Sequence, residues 1–129
     1  MDCPDCDRPT VVFRVPGELR EHAPGGRHAA ICPDCLRLDP VTGATPDLDF
    51  GPILDSFPEG EAGRAMALGV GLLVDSLALN RDAIAACFAY AADRGVDPWL
   101  VVERLAAAGS VQPDADLDRA RTQLEQLLG

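Results

Sequence analysis

At 129 residues the chain has room for one ordinary domain, or for a small stapled module beside a modest helical one, and its apolar content of 47% with only 5% aromatic residues implies a thin, alanine-rich core. The 21 acidic residues outnumber the 11 basic ones for a net charge of −10, and every basic residue is Arg, a balance that offers no basic footprint for nucleic acid. The longest apolar stretch, Ala65 to Val74, is ten residues between Arg64 and Asp75, well short of the roughly 20 that span a bilayer, so no membrane helix is expected.

The first element is the turn Cys3-Pro4-Asp5-Cys6, which returns unchanged as Cys32-Pro33-Asp34-Cys35. Between the two copies, Thr10 to Val15 is rich in β-branched and aromatic residues and stops at Pro16-Gly17, which predicts a strand closed by a turn. Glu18 to His22 is one helical turn, and Pro24-Gly25-Gly26 breaks the chain. Arg27 to Ile31 is then expected to run back beside the first strand and deliver Cys32 next to Cys3, with a third short strand over Leu36 to Val41.

From Asp39 to Gly60 four prolines and three glycines exclude a long helix or a central strand. Phe50, Ile53, Leu54 and Phe57 give this segment an apolar side that can dock on helices. The remainder is expected to hold four helices. The first covers about Glu61 to Leu77. Asn80 is the expected N-cap of the second, Arg81 to Arg94, with Asp82 in its first turn and Gly95 as its stop. Asp97-Pro98 opens a third, ending near Gly109. Pro113 and Asp114 introduce the last, with Leu117, Ala120, Leu124, Leu127 and Leu128 on one face. The fold class is therefore α+β: residues 1–39 a small ribbon of two or three antiparallel strands, 40–60 a docked Pro/Gly-rich connector, and 61–129 a bundle of about four helices.

Two CxxC turns carry the chemistry. A tetrahedral zinc ion takes four soft ligands, and each turn lets two sulfurs from one tight loop reach adjacent corners with little strain. Cys3, Cys6, Cys32 and Cys35 are thus the expected ligands of one structural zinc ion. A rubredoxin-like iron site uses the same four thiolates and is the alternative metal. Disulfide exchange fits less well, since that chemistry uses a single pair opening a helix. Five cysteines in this pattern do not form a secreted disulfide framework, and the start Met1-Asp2-Cys3 lacks signal-peptide regions, so a cytoplasmic protein is expected.

On these residues, 1–41 resemble a zinc ribbon of the CPxC type, and the chain as a whole resembles an uncharacterised family of small haloarchaeal zinc-ribbon proteins. The Lys-free, Asp-rich composition is similar to that of proteins from salt-loving archaea, whose charge keeps them soluble where the Debye length falls to about 3 Å at 1 M salt. Such knuckles usually place glycine after the second cysteine; here Asp7 and Leu36 stand there, and Leu tolerates the left-handed region poorly, so distortion of the second knuckle is expected. The resemblance implies no activity.

His22 and His28 are expected to be exposed loop residues, not ligands. Ala65, Gly69 and Ser76, with Ala67 and Gly71, form small patches that admit another backbone, either within the chain or from a second copy. Cys87 falls on an apolar helix face as a buried thiol, and Trp99 is a packing anchor or an interaction hot spot. The expected function is non-enzymatic: a zinc-stapled ribbon with an acidic helical part that binds another protein or a second copy. A nucleic-acid-associated transcription or translation factor is the alternative, resting on five Arg in residues 1–40, and an enzyme is the lesser one, since no catalytic triad, phosphate loop or paired carboxylate is present. Cys32→Ser is expected to unfold residues 1–40, with the helical part keeping its far-UV signal if the two parts are separate.

Overall fold

The computed structural model describes residues 3–4, 6–23, 27–41, 50–54, 56–108 and 117–128. Among these residues its α+β architecture places a three-stranded antiparallel sheet before four helices, as the sequence predicts. Strands β1 (Val11–Arg14), β2 (His28–Ile31) and β3 (Leu38–Pro40) lie in the order β1-β2-β3, with Val11 opposite Ile31 and Ile31 opposite Leu38. Pro40 has no N–H to donate, and it sits on the edge strand where that loss is tolerated. A 3-10 helix, Gly17–His22, joins β1 toward β2 and buries Leu19.

Alternation along the strands sends Val11, Phe13, Ala29 and Ile31 into the main core, while Val12 and Ala30 join Val41 in a small cluster on the opposite face. Phe50, Ile53 and Phe57 of the connector are buried, and Phe50 bridges the ring of Phe13 at 5.9 Å to that of Phe57 at 5.4 Å. Residues 42–49, including Pro46, lie outside the described residues.

Helix α1 (Gly60–Asp75) is the centre of the molecule, buried almost without interruption from Ala65 to Leu73. A helix that is apolar all round needs neighbours on several sides. Two glycines let them approach. A Cβ on Gly71 would lie 2.9 Å from the Cβ of Leu38 in β3, and one on Gly69 would lie 3.0 Å from the Cβ of Cys87. The small-residue patches at these two positions are therefore filled from within the chain. Gly71→Ala gains up to about 1 kcal/mol of helix propensity but drives a methyl into Leu38, at an overpacking cost of about 1–3 kcal/mol. The melting midpoint should fall; a rise would mean that α1 does not rest directly on β3.

Helix α2 (Leu77–Asp93) begins earlier than its sequence suggests. Helix α1 ends at Asp75, and Ser76 alone separates the two, with its Oγ accepting from the Leu79 N–H at 3.3 Å. Asn80 is not the N-cap. Its side-chain amide instead donates to Asp75 at 3.3 Å and to the Leu72 carbonyl at 3.0 Å, a second donor to an acceptor that also takes the Ser76 N–H at the end of α1. Asp82 accordingly lies beyond the first turn. At the other end Gly95 adopts φ 86°, the Val96 N–H donates to the Ala91 carbonyl and the Gly95 N–H to that of Ala92, the paired bonds of a Schellman motif.

Helix α3 (Pro98–Ala107) starts as expected, with Asp97 accepting from the N–H groups of Trp99 and Leu100. In α4 (Leu117–Leu128), Leu117, Ala120 and Leu124 are buried, whereas Leu127 is 50% exposed and corrects the expected continuous face. The last turn of α4 stands off from the start of α2, leaving a cleft of about 330 Å³ lined by Leu77, Ala78, Gln123, Gln126 and Leu127. Gly109, Pro113 and Asp114 lie outside the described residues.

One polar cluster ties the start of α1 to the end of α2. Glu61 accepts from Arg94 at 3.2 Å and from the Tyr90 hydroxyl at 3.1 Å, and the Arg94 guanidinium lies 3.4 Å over the Tyr90 ring. The hydrogen bond from Arg94, then that from Tyr90, holds the Glu61 carboxyl below its ordinary value. A depressed folded pKa contributes stability above the unfolded value and loses it as pH falls through the folded one. The gap in melting temperature between the native chain and Glu61→Gln should therefore be widest near neutrality and close under acid; a gap constant with pH would contradict this. Among the described residues no helix is long and apolar enough to cross a membrane.

Candidate metal centre

Both knuckles sit at one end of the sheet, because β2 ends at Ile31 opposite the first residue of β1 and runs directly into Cys32. Their backbones repeat each other. The Asp7 N–H donates to the Cys3 carbonyl at 2.9 Å, and the Leu36 N–H does the same to Cys32 at 2.9 Å. The Cys3 N–H donates to the Arg8 carbonyl at 2.8 Å, and the Cys32 N–H to that of Arg37 at 2.9 Å. Closing these turns requires a left-handed residue after the second cysteine, and Asp7 (φ 56°) and Leu36 (φ 64°) both supply it. The expected distortion of the second knuckle does not occur. Leu36 is fully buried in the main core, and that burial offsets the backbone cost of its conformation.

The four predicted ligands converge. The Sγ atoms of Cys3, Cys6, Cys32 and Cys35 all lie within 4.8 Å of one another, and those of Cys3 and Cys35 are 3.8 Å apart. Four sulfurs at 2.3 Å from a common centre would be separated by about 3.8 Å along each tetrahedral edge. The cage therefore fits one ion with modest contraction. Cys3, Cys32 and Cys35 are buried, and Cys6 is partly exposed.

The electrostatics of the bare cage favour a cation. Burial, then the neighbouring thiols, pushes the Cys35 thiol far above its ordinary value, although the Arg37 N–H pulls the other way. Cys6 is drawn down by its contact with Cys35 yet rises overall to about 11, because burial and the Cys32 and Cys3 thiols outweigh that contact. Four thiolates cannot share this space alone. A divalent ion held by Cys3, Cys6, Cys32 and Cys35 would reverse the balance and favour their thiolate forms. Two N–H groups already point at sulfur: that of Asp34 lies 3.4 Å from Cys32 Sγ, and that of Arg37 donates to Cys35. An all-sulfur tetrahedral cage accepts zinc or iron.

Residues around the cage were less visible in the sequence. Arg8 and Asp34 approach to 4.0 Å and join the two knuckles across the site. The signal was a repeat longer than four residues, since Cys3 to Arg8 and Cys32 to Arg37 match at every position but the fifth.

The other singled-out residues lie elsewhere. His22 and His28 are half-buried, not exposed; His22 lines a second cleft with Leu38, Leu72, Asp75 and Asn80, while His28 pairs with Arg14 inside the sheet. Neither belongs to the cysteine cluster. Cys87 is in the main core, where burial raises its thiol to about 12 and leaves it unreactive. Trp99 is half-buried, its ring edge-on to Phe88 at 5.3 Å and 89°.

No curated protein matches the chain, and neither does any solved structure. A family model does match, over residues 2–128, so that the cysteine cage, the sheet and all four helices fall within one family: the chain belongs to the family of unknown function DUF6276.

Proposed function

We propose that this chain is a zinc-binding protein without enzymatic activity, in which a structural four-cysteine centre holds a small ribbon against an acidic helical part that serves as a protein-interaction or regulatory module. The observation that carries this reading is the closure of the cage: four sulfurs within 4.8 Å of one another, three of them buried. A catalytic ion keeps one position for water or substrate, and four thiolates leave none. None of the five cysteines is joined in a disulfide, which suits the reducing cytoplasm as the place of work.

Elemental analysis of protein purified without added metal tests the centre, and one zinc per chain is expected. Iron in its place would identify a rubredoxin-like site. X-ray absorption showing fewer than four sulfurs around the ion would reopen the case for catalysis. For the partner, affinity purification with and without chelator should recover one protein in a metal-dependent manner; nucleic acid that stays bound in molar KCl would replace that reading with the nucleic-acid one.

The excess of acid and absence of Lys also support a protein adapted to molar salt. Its melting temperature should climb as KCl is raised from about 0.1 M toward 1 M, where the Debye length shrinks from about 10 to about 3 Å and self-repulsion is screened. A flat or falling curve would count against that origin.

A further inference from the structure

The four sulfurs are not equivalent. Cys32 and Cys35 are buried and each accepts a backbone N–H, from Asp34 and Arg37, whereas Cys6 is the one partly exposed member of the cage. A hydrogen bond to a thiolate draws off electron density and lowers its nucleophilicity, and burial denies access to reagents. The second knuckle is also tied into the main core through Leu36, while its counterpart Asp7 is exposed. Access to the cage is thus greatest at Cys6, since Cys3 of the same knuckle is buried like Cys32 and Cys35.

We propose that Cys6 is the reactive position of the centre, the sulfur at which peroxides attack, so that the first knuckle forms an oxidation-sensitive latch on a metal otherwise held by the buried second knuckle. The inference rests on the zinc-binding reading above. In the first step the Cys6 thiolate attacks a peroxide oxygen, the O–O bond breaks, and the leaving hydroxide takes a proton to become water; Cys6 is now a sulfenic acid. In the second, the Cys3 thiolate of the same turn attacks the Cys6 sulfur, an S–S bond forms, and hydroxide leaves from that sulfur as water after gaining a proton. Two thiolates lose two electrons, and one hydrogen peroxide becomes two waters. With Cys3 and Cys6 joined, only Cys32 and Cys35 remain as ligands, too few to retain the ion against a competing chelator.

The test uses the metal-loaded full chain, limiting hydrogen peroxide, a chromogenic chelator to count released zinc, and peptide mapping after thiol trapping. Cleavage at Arg14, Arg27 and Arg37 places the two knuckles on different peptides. Zinc release should track a disulfide within the peptide that carries Cys3 and Cys6, with Cys32, Cys35 and the buried Cys87 intact at early times. In a parallel arm, substoichiometric iodoacetamide should alkylate Cys6 first, its thiolate forming the C–S bond as iodide leaves. Early modification of Cys32 or Cys35, or a disulfide linking the two peptides, would overturn the proposal while leaving the zinc reading in place. A chain that binds no metal would overturn the zinc reading itself.

Discussion

Replacing Cys32 with Ser, or stripping the metal with a strong chelator, should unfold the whole chain and not residues 1–40 alone. The ribbon and the helices share one hydrophobic cluster, which runs from Val11, Phe13, Ile31 and Leu36 through Leu68 and Ile84 to Leu105 and Leu124. Gly71 of α1 abuts Leu38 of β3, and Phe50 packs against Phe13. Melting the sheet would therefore strip one side of the central helix. The magnitudes point the same way. A structural zinc centre contributes on the order of 10 kcal/mol or more, comparable with the roughly 5–15 kcal/mol of net stability of an ordinary domain. Trp99, on the far helix α3 and in contact with Phe88, reports on the helical part. Its fluorescence and the far-UV signal should be lost together in Cys32→Ser, and amide exchange should rise in β1 and α1 alike. Native Trp99 fluorescence beside rapid exchange confined to residues 11–40 would show that the two parts fold separately.

Features written into the local backbone were legible in the sequence. Gly95 and Asp97-Pro98 each demand a particular conformation, and both act where expected. The cysteine cage was legible for a related reason: CxxC turns close over a few residues whatever surrounds them, and the intervening hairpin supplies the rest. The start of α2 was not legible. Ser76 and Asn80 are both good N-caps four residues apart; Ser76 caps α2, while Asn80 donates back to the Leu72 carbonyl and to Asp75, contacts that exist only once α1 and α2 meet. The same holds for Leu127, on the expected side of α4 yet beyond the reach of a neighbour. Gly69 and Gly71 announced a close approach without naming what approaches, because a glycine records the absence of a side chain and not the identity of the atom that takes its place.

Glycine substitutions after the two knuckles should have opposite effects. Asp7 and Leu36 occupy equivalent left-handed positions, so Gly relieves backbone strain at both. For Leu that relief is about 1–2 kcal/mol. The side chain of Leu36 is fully buried, however, and truncating such a residue costs about 2–5 kcal/mol. Leu36→Gly should therefore be destabilising, by up to about 4 kcal/mol. The Asp7 side chain is exposed and gives up no packing. Asp7→Gly should be neutral or stabilising by up to about 1 kcal/mol. Denaturation midpoints of the two metal-loaded variants check this directly. Stabilisation by both would mean that Leu36 is merely tolerated where glycine belongs. Opposite signs would establish Leu36 as the side chain that couples the metal-binding turn to the hydrophobic core, and hence as the residue through which loss of the ion is felt by α1.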